Sequence, residues 1–311
     1  MTRVFINGHE GTTGLRIVER LSNRGDIELI PIPDELRKDP AAVAERINAS
    51  DVTFLCLPDA AAREAVGYVT NPDVTVIDTS TAHRTDPAWA YGFPELSAAH
   101  REKLRASGRI AVPGCHASGF AALVYPLIAA GLLPKDYPLA VHSVTGYSGG
   151  GKKMIAQYLD PDRPALYNAP RQYALGQTHK HLPEMVAVCS LTRKPVFMPI
   201  VADFYAGMVV TAALHTDLLQ KPATVESLRT LYEAHYAGQK LIHIGRADED
   251  GLLSAGGFAG RDDMEIIVAG NDERIIVASR FDNLGKGASG AAVQCMNLAI
   301  GCDELAGLVT E

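Results

Sequence analysis

The segment Arg3–Gly14 reads RVFINGHEGTTG and is followed by LRIVERLSNRG over Leu15–Gly25. A short apolar, β-branched run precedes three glycines in the spacing G-x-x-G-x-x-G (Gly8, Gly11 and Gly14), and the pattern after them is helical. This order predicts a strand, a glycine-rich turn and a helix. Glycine lets the backbone approach a pyrophosphate, which then lies on the helix N-terminus, so the turn is a variant of the dinucleotide-binding fingerprint. The alternative is a tight turn that binds no ligand.

Strands and helices keep alternating over about the first 115 residues. The run DVTFLCL (51–57) is continuously apolar, as in strands that are buried on both faces of a parallel sheet. The other predicted strands are 27–32, 74–78 and 109–112, and the predicted helices are 41–49 and 60–70. The alternation predicts an α/β domain with a Rossmann-type, doubly wound parallel sheet.

The pattern changes in the second half of the chain. The predicted strands there are longer, with one clear helix at Thr224–His235; they are 139–145, 196–204, 207–215, 264–269 and 274–281. We therefore expect a mixed or antiparallel sheet in an α+β domain over 116–285. The small residues of GASGAAVQCMNLAI (287–300) predict a helix that packs closely, and we expect the helical segment 286–311 to complete the first domain, 1–115.

Composition excludes several classes of function. The net charge of −7 gives no basic surface for nucleic acid or anionic membrane. No window approaches the ~20 apolar residues of a membrane helix, and the N-terminus lacks a signal-peptide core. The five cysteines include no C-x-x-C pair, which argues against a zinc site and a disulfide framework and predicts a reducing cytoplasm. The extended strands of the second domain could pair between subunits, and we expect a homodimer or homotetramer.

Cys115 lies in the segment AVPGCHASG (111–119), and the apolar run FAALVYPLIAA (120–130) follows it. We expect Cys115 at a helix N-terminus, where backbone N–H groups and the helix dipole favour the thiolate over the thiol. The thiolate attacks carbonyl carbon, so Cys115 is the candidate nucleophile. The other four cysteines have apolar neighbours that predict small buried side chains.

The cofactor type is open from the residues alone. Asp34 lies 20 residues after Gly14, at the expected end of the second strand, where an acid binds the ribose 2′-hydroxyl of NAD. Arg37 and Lys38 follow closely and suit the 2′-phosphate of NADP instead. Arg84, in the segment DTSTAHR (78–84), offers a bidentate fork for phosphate or carboxylate, or is a surface arginine.

His179, His181 and Glu184 come together in HKHLPE (179–184). Histidines at i and i+2 of an extended segment point to opposite faces, so we expect one to be catalytic and the other structural or substrate-binding. No third ligand lies nearby in sequence, and we predict no metal site. A cysteine protease also uses cysteine and histidine, but it has no use for the glycine-rich turn.

Two glycine-containing loops are candidates for contact with a cofactor. GYSGGGKK (146–153) follows a predicted strand, and DNLGKG (282–287) precedes the last helix. Taken alone, each reads equally well as a connecting turn.

Together these segments resemble the N-acetyl-gamma-glutamyl-phosphate reductase family of arginine biosynthesis, in its shorter form. The similarity runs nearly end to end, through the glycine-rich turn, DTSTAHR, YGFPEL, AVPGCHASG, GYSGGGKKMI, HKHLPEM and DNLGKGASGAAVQCMNLAIG. His116 stands where longer members usually have an aromatic residue, and Ser118 where threonine is usual. The family shares its two-domain plan with aspartate-semialdehyde and glyceraldehyde-phosphate dehydrogenases, which implies that 116–285 is the catalytic and dimerisation domain.

The resemblance implies a reaction and a set of roles. The Cys115 thiolate would attack the acyl phosphate of N-acetyl-glutamyl phosphate, and NADPH would reduce the resulting thioester to N-acetylglutamate semialdehyde. His181, with His179 as second choice, would supply the proton. Arg84, Glu184 and Ser118 would bind substrate. The implied NADP(H) contacts are Gly8, Gly11, Thr12, Thr13, Gly14, Arg37, Ser80, Ser148, Gly149, Asn283 and Lys286.

Two other functions stay open. An aspartate-semialdehyde dehydrogenase would use the same cysteine chemistry on a smaller substrate, although H-x-H-x-P-E argues against it. A redox-sensing NADP-binding protein without turnover would use Cys115 as a sensor thiol and the histidines as scaffold.

Overall fold

The computed structural model describes residues 1–248 and 250–310. In chain order, the strands are β1 (Thr2–Asn7), β2 (Ile27–Ile30), β3 (Val52–Leu55), β4 (Thr75–Asp78), β5 (Ala90–Tyr91), β6 (Arg109–Ala111), β7 (Ala140–Gly146), β8 (Arg171–Gln172), β9 (Val196–Ala202), β10 (Met208–His215), β11 (Ile242–Gly245), β12 (Met264–Gly270) and β13 (Arg274–Phe281). The helices are α1 (Thr12–Leu21), α2 (Pro40–Ala49), α3 (Asp59–Gly67), α4 (Ala98–Ala106), α5 (Cys115–Ala129), α6 (Gly151–Leu159), α7 (Leu182–Val188), α8 (Val225–His235) and α9 (Gly290–Ala299).

These elements form two compact units. The first comprises Met1–Gly114 and Ala288–Leu308, and the second comprises Cys115–Gly287 together with Val309 and Thr310. Among the described residues, no helix has the length and apolar character that a bilayer crossing needs.

The first unit is built on a six-stranded sheet in the order β2-β1-β3-β4-β6-β5. Every pairing in it is parallel, and β1 lies between β2 and β3. All four residues of β3 are buried, as a strand covered by helices on both faces requires. The predicted Rossmann-type parallel sheet is therefore confirmed.

The core of this sheet is made by apolar side chains at strand and helix spacing. Val4, Ile6 and Phe54 of the sheet cluster with Ile17 of α1 and Met296 of α9. Burying a side chain of this size stabilises the fold by about 1.5–3 kcal/mol. α9 packs against α1, α4 and β4.

The second predicted strand is shorter than expected. The prediction was 27–32, but β2 ends at Ile30. Pro31 has no backbone N–H to donate to the ladder, which explains the early end. Asp34, expected at the end of this strand, lies instead in a turn beyond it, where Leu36 N donates to Pro33 O at 2.9 Å. Helices α4, α6 and α7 were not predicted.

The second unit contains a seven-stranded mixed sheet in the order β11-β12-β13-β10-β7-β9-β8. β10 pairs antiparallel with β7 and β13, whereas β7 pairs parallel with β9. The five strands predicted here are present, and no end is shifted by more than two residues. α8 begins behind Thr224, whose hydroxyl accepts from Ser227 N in a capping box.

α5 lies on one face of this sheet and contacts β10 and β13. Gly119 permits the close approach, because a methyl group there would come within 2.6–2.8 Å of Val210, Ser279 and Phe281. Pro126 inside α5 has no N–H for the carbonyl of Ala122, and the Tyr236 hydroxyl donates to that oxygen at 2.8 Å instead. The sheet and α8 therefore hold this helix in place.

Candidate active site

Cys115 is the first residue of α5, which confirms its predicted place at a helix N-terminus. First-turn amides have no partner within a helix, and with the dipole they favour a negative charge at the sulfur. The Cβ of Cys115 lies beside Gly287, where an added methyl group would come within 2.9 Å of it. Gly287 therefore gives Cys115 room, whereas the role of Cys115 as nucleophile stays a prediction.

Three other cysteines lie in environments that differ from that of Cys115. Burial raises the pKa of the Cys56 thiol to about 12, and it also raises the pKa of Cys189. Cys295 is buried, and its thiol donates to Gly92 O at 3.4 Å. These environments favour the neutral thiol, which is the unreactive form.

His116 follows Cys115 and is buried with both ring nitrogens engaged. Nδ1 lies 2.8 Å from Ser143 Oγ, and Nε2 lies 2.7 Å from the Tyr173 hydroxyl. Burial is the main cause that lowers the pKa of His116 to about 3, and the nearby His179 and Lys180 contribute in the same direction. The imidazole is therefore neutral at physiological pH.

His179 and His181 do not point to opposite faces, so that expectation was wrong. Their ring centroids are 4.8 Å apart, and they lie 5.3 and 5.6 Å from the ring of His116. The reason is that 179–181 is a turn rather than an extended segment: Leu182 N donates to His179 O, and His181 has helical dihedral angles as the N-cap of α7.

The hydrogen bonding separates the two histidines. The backbone N–H of His181 donates to Nδ1 of His179 at 3.1 Å, so the proton of a neutral His179 is on Nε2. Burial lowers the pKa of His179 to about 4, which keeps it neutral and makes it a poor proton acceptor. This favours His181, which is 5% exposed, as the acid–base residue, although its role stays a prediction.

The predicted substrate contacts of this unit are buried. Glu184 lies in the first turn of α7, where a helix N-terminus favours a carboxylate. Ser118 lies in the first turn of α5, and its buried hydroxyl has no hydrogen-bond partner within the described part of the chain. An unpaired buried hydroxyl is costly, so Ser118 is suited to a bound ligand.

Ser148, Gly149 and Asn283 come together in the second unit. Asn283 Nδ2 donates to Ser148 Oγ at 2.9 Å, and it would lie 3.2 Å from a methyl group on Gly149. Asn283 Oδ1 accepts from Gly207 N at 2.8 Å. Lys286 is buried in a π-helical turn, Gly285–Ser289. The cofactor roles of these residues stay predictions.

In the first unit, the glycine-rich turn joins β1 to α1. Gly11 N donates to Gly8 O at 3.0 Å, and a methyl group on Gly14 would lie 2.4 Å from Gly8 O. Thr12, Thr13 and Gly14 form the first turn of α1. The Thr12 hydroxyl oxygen is buried and has no hydrogen-bond partner among residues 1–248 and 250–310. This turn is suited to bind a pyrophosphate group, because its backbone can approach the ligand closely and the first-turn amides and the Thr12 hydroxyl can donate hydrogen bonds to it.

The two residues that are candidates to bind the cofactor's ribose, Asp34 and Arg37, lie beside the glycine-rich turn. Arg37 forms an ion pair with Glu10, and ligand atoms of His9, Glu10 and Asp34 lie within 4.8 Å of one another. Groups of this kind are common on surfaces without an ion, and the absence of a metal stays a prediction. The geometry thus brings Asp34 and Arg37 to one place without choosing between them.

Ser80 and Arg84 are engaged within their own loop. The Ser80 hydroxyl donates to Asp78 at 2.7 Å, and Asp78 also binds Nδ1 of His83 at 2.7 Å. Arg84 donates from Nε to Val112 O and from a terminal nitrogen to Thr79 O, both at 2.8 Å. Arg84 therefore ties together the segments that follow β4 and β6, and its contact with substrate stays a prediction.

Sequence reasoning missed Tyr173 and Ser143. Ser143 faces the buried side of β7 with Val141 and Thr145, and an inward polar residue in an alternating strand signals a buried partner. Tyr173 carried no local signal, because it precedes a loop and reaches His116 only through the fold.

Two sequence families match this chain. Residues 3–104 match the family described as "Semialdehyde dehydrogenase, NAD binding domain", and residues 115–283 match "Semialdehyde dehydrogenase, dimerisation domain". Solved structures agree on the fold. Aspartate semialdehyde dehydrogenase II of Vibrio cholerae superposes with a TM-score of 0.71 over 97% of this chain and 98% of that one, at 15% identity. The aspartate semialdehyde dehydrogenase of Francisella tularensis gives 0.72 over 96% and 99%, at 12% identity.

Curated relatives are much closer in sequence. The N-acetyl-gamma-glutamyl-phosphate reductase of Rhizobium etli is 45% identical over 305 residues, covering 96% of this chain and 98% of that protein. The enzyme of the same name from Burkholderia ambifaria is 44% identical, with 96% of both chains covered. The described motifs, the two-unit fold and this similarity together show that the chain belongs to the N-acetyl-gamma-glutamyl-phosphate reductase family, on the semialdehyde dehydrogenase fold.

Proposed function

We propose that this chain reduces N-acetyl-glutamyl 5-phosphate to N-acetylglutamate 5-semialdehyde and phosphate in arginine biosynthesis, with NADPH as the reductant. The observation that carries the proposal is Cys115 at the N-terminus of α5, in the unit that also holds the cluster of His116, His179 and His181. The name of the Rhizobium etli relative supports the choice of substrate.

The first half of the reaction is acyl transfer to sulfur. His181 accepts the thiol proton, and the Cys115 thiolate attacks the carbonyl carbon of the acyl phosphate. A carbon–sulfur bond forms, the carbon–oxygen bond to phosphate breaks, and phosphate leaves. Arg84, Glu184 and Ser118 hold the substrate during this step.

The second half is reduction of the thioester. A reduced nicotinamide, when bound, would supply a hydride to the thioester carbon. Cys115 holds the acyl group during this step and leaves as the thiolate when the carbon–sulfur bond breaks, which releases the aldehyde. His181 holds a proton near the thioester oxygen. In total, acyl phosphate, NADPH and one proton give semialdehyde, NADP⁺ and phosphate.

The proposed cofactor is NADP(H) rather than NAD(H). Arg37 is 37% exposed at the glycine-rich turn and pairs with Glu10, so a 2′-phosphate can exchange for that carboxylate without a new buried charge. We expect Arg37→Ala to weaken NADPH about fivefold relative to NADH, since an exposed charged contact is worth about 1 kcal/mol. An unchanged ratio would assign the 2′-phosphate to another residue.

The proposed assembly is a homodimer or homotetramer in the cytoplasm. The second unit matches a family described as a dimerisation domain. The sheet face opposite α5 leaves apolar side chains open, with Val196 54% and Ile276 44% exposed. The mass in solution, measured by sedimentation, tests this assembly.

The deciding experiment runs the reaction backwards. We expect NADP⁺ reduction with N-acetylglutamate semialdehyde that depends on added phosphate. Aspartate semialdehyde, as the matched substrate, should react at least tenfold more slowly in kcat/KM, because a pocket that binds the acetamido group loses those contacts. Faster turnover of aspartate semialdehyde would establish the alternative enzyme.

A second measurement separates an enzyme from a redox sensor. Acyl phosphate added without NADPH should leave a thioester on Cys115, detected as a mass increase of its peptide that hydroxylamine removes. A sensor without turnover forms no such adduct.

A further inference from the structure

We propose that His83 binds the nicotinamide half of the cofactor, by accepting a hydrogen bond from a ribose hydroxyl at Nε2, and that Asp78 is the positioning residue that presents this nitrogen. This role rests on the proposed function, because it takes NADPH as the bound cofactor. It concerns two side chains of the first unit that the reaction steps above do not use.

The imidazole of His83 is held on two sides. Its Nδ1 lies 2.7 Å from Asp78 Oδ2, and its ring is stacked on Trp89 with centroids 4.1 Å apart and planes inclined by 12°. His83 is 6% exposed, and Asp78 is fully buried. The fold therefore sets the orientation of the ring before any ligand binds.

The position of the proton on His83 follows from the other partners of Asp78. The carboxylate also accepts from Ser80 N at 2.9 Å and from Ser80 Oγ at 2.7 Å. The Ser80 hydroxyl accepts from Ala82 N at 3.1 Å, so its own proton goes to Asp78. Because a carboxylate only accepts, Nδ1 of His83 carries a proton, and Nε2 of the neutral imidazole is the acceptor.

Nε2 is the part of the ring that is left for a ligand. It has no hydrogen-bond partner within residues 1–248 and 250–310, and it is not sealed from solvent. The Ser80 hydroxyl is used within the turn, and Arg84 donates to two carbonyl oxygens. His83 therefore presents an oriented, open acceptor in this segment.

The register of the first sheet brings this acceptor to the edge where the glycine-rich turn lies. Asn7, Leu55 and Asp78 are partners in register at the ends of β1, β3 and β4, and the turn and segment 79–84 follow directly. Neighbouring strands lie about 4.8 Å apart, so the two segments begin about 10 Å apart. Dinucleotides bind outside the carboxyl ends of the strands in sheets of this kind.

The direction of the cofactor along this edge follows from the strand order β2-β1-β3-β4. Asp34 and Arg37, the candidates to bind the adenosine ribose, come after β2, on one side of β1. With the pyrophosphate at the turn after β1, the nicotinamide half runs the other way, over β3 towards β4. The hydroxyls of its ribose are donors, and Nε2 of His83 is an acceptor for them.

The test compares two ligands on His83→Phe, which keeps a ring beside Trp89 but removes both nitrogens. Adenosine 2′,5′-bisphosphate carries only the adenine half of NADPH. By calorimetric titration, we expect His83→Phe to bind NADPH about five- to tenfold more weakly, the size of one lost hydrogen bond, and the bisphosphate within about twofold of the parent. His100→Phe, on α4 beyond the outermost strand β5, is the matched control and should leave both affinities within about twofold.

Asp78→Asn keeps the imidazole and moves its proton. An amide N–H at this position donates to Nδ1, so the proton of a neutral His83 lies on Nε2 and the acceptor becomes a donor. We expect weaker NADPH binding again, with the bisphosphate unaffected. Trp89 is the one tryptophan of the chain, so its emission reports on the stacked ring. NADP⁺ should change this emission in the parent, and the bisphosphate should not.

Equal losses for both ligands in His83→Phe, or unchanged NADPH affinity, would overturn the proposal, as would equal emission changes with both ligands. If His83→Phe fails to fold, Asp78→Asn decides in the same way. These measurements need no turnover, so a chain that distinguishes the two ligands but lacks reductase activity would refute the proposed function and leave this inference standing. An active enzyme whose His83→Phe variant binds NADPH like the parent would refute this inference alone.

Discussion

The glycine-rich turn of the first unit and the histidine cluster of the second are built in opposite ways. The turn is contiguous: Gly8, Gly11 and Gly14 lie within seven residues, and their contacts are mostly backbone. The cluster is assembled from distant segments, because His116 binds Ser143 and Tyr173, which lie 27 and 57 residues away. A binding turn can thus be encoded locally, whereas the environment of the nucleophile depends on the whole second fold.

The two regions also differ in their energetics. At the turn, a single added methyl group meets backbone oxygen, so shape limits what the sequence can be. In the cluster, burial keeps the imidazoles neutral, so the choice of residues there is limited by their proton equilibria. Substitutions should therefore act on binding and stability in one region and on chemistry and pH dependence in the other.

Cys115→Ser should have the largest effect. A serine hydroxyl is not ionised near neutral pH, so turnover should fall about 10⁴-fold or more, while NADPH binding to the first unit changes less than about twofold. Cys302→Ser, which alters a half-buried cysteine of the first unit, is the control and should stay within about twofold of the parent. Turnover and cofactor titration measured side by side check this. Parent-like activity in Cys115→Ser would remove the nucleophile.

His181→Asn should come next. Loss of a general acid–base residue lowers kcat by about 10²–10⁴-fold. His179→Asn should lower it by only about tenfold, because Nδ1 of His179 is already engaged and its pKa lies near 4. Steady-state kinetics of the two variants measure the ratio. If His179→Asn were the more damaging change, the two roles would be exchanged.

Features that depend on neighbouring residues could be predicted from the sequence, whereas features that depend on distant residues could not. The strand, turn and α1 were read correctly, as was Cys115 at the start of α5, because Pro113, Gly114 and the apolar run after them act locally. The doubly wound sheet followed from alternation. The motif H-x-H was seen, but its geometry was wrong: Pro183, in the first turn of α7, marks a helix start that makes 179–181 a turn.

The rest was out of reach for a physical reason. Nothing near Tyr173 indicates that it meets His116, because that contact depends on the register of β9 beside β7. The pairing of Arg37 with Glu10 was equally hidden in the sequence, because it depends on where β2 ends, and Pro31 ends that strand at Ile30. Side chains whose partners lie on other elements are placed by tertiary structure.

Gly14→Ala tests whether shape limits the sequence of the glycine-rich turn. The added Cβ would lie 2.4 Å from Gly8 O and 2.8 Å from His9 Cα, both backbone atoms, so the turn must open. We expect a loss of about 1–3 kcal/mol in the free energy of unfolding and weaker NADPH binding by about tenfold or more. Gly25→Ala is the matched control, since no heavy atom in the described chain lies within 4 Å of its added Cβ. Urea unfolding and NADPH titration should separate the two variants, and equal effects would mean that the turn adapts.

The smallest effect is the response of stability to pH, which tests the histidine cluster. His116 and His179 have folded-state pKa values of about 3 and about 4, below the usual value near 6.5. Below pH 6.5 the unfolded chain therefore binds protons that the folded protein does not, and stability falls by about 1.4 kcal/mol per pH unit for each such buried histidine.

This stability is complete above pH 6.5 and is lost as the pH falls towards the folded values. Between pH 6.5 and 5 the unfolded carboxyl groups are still mostly ionised, so the histidines dominate, with His100 and His142 acting in the same direction. The free energy of unfolding in urea, measured across this range, should fall less steeply in His116→Phe by about 1.4 kcal/mol per pH unit. A His116→Phe slope equal to the parent's would show that His116 takes up a proton in the folded state. Proton equilibria would then not distinguish the histidine cluster from the glycine-rich turn.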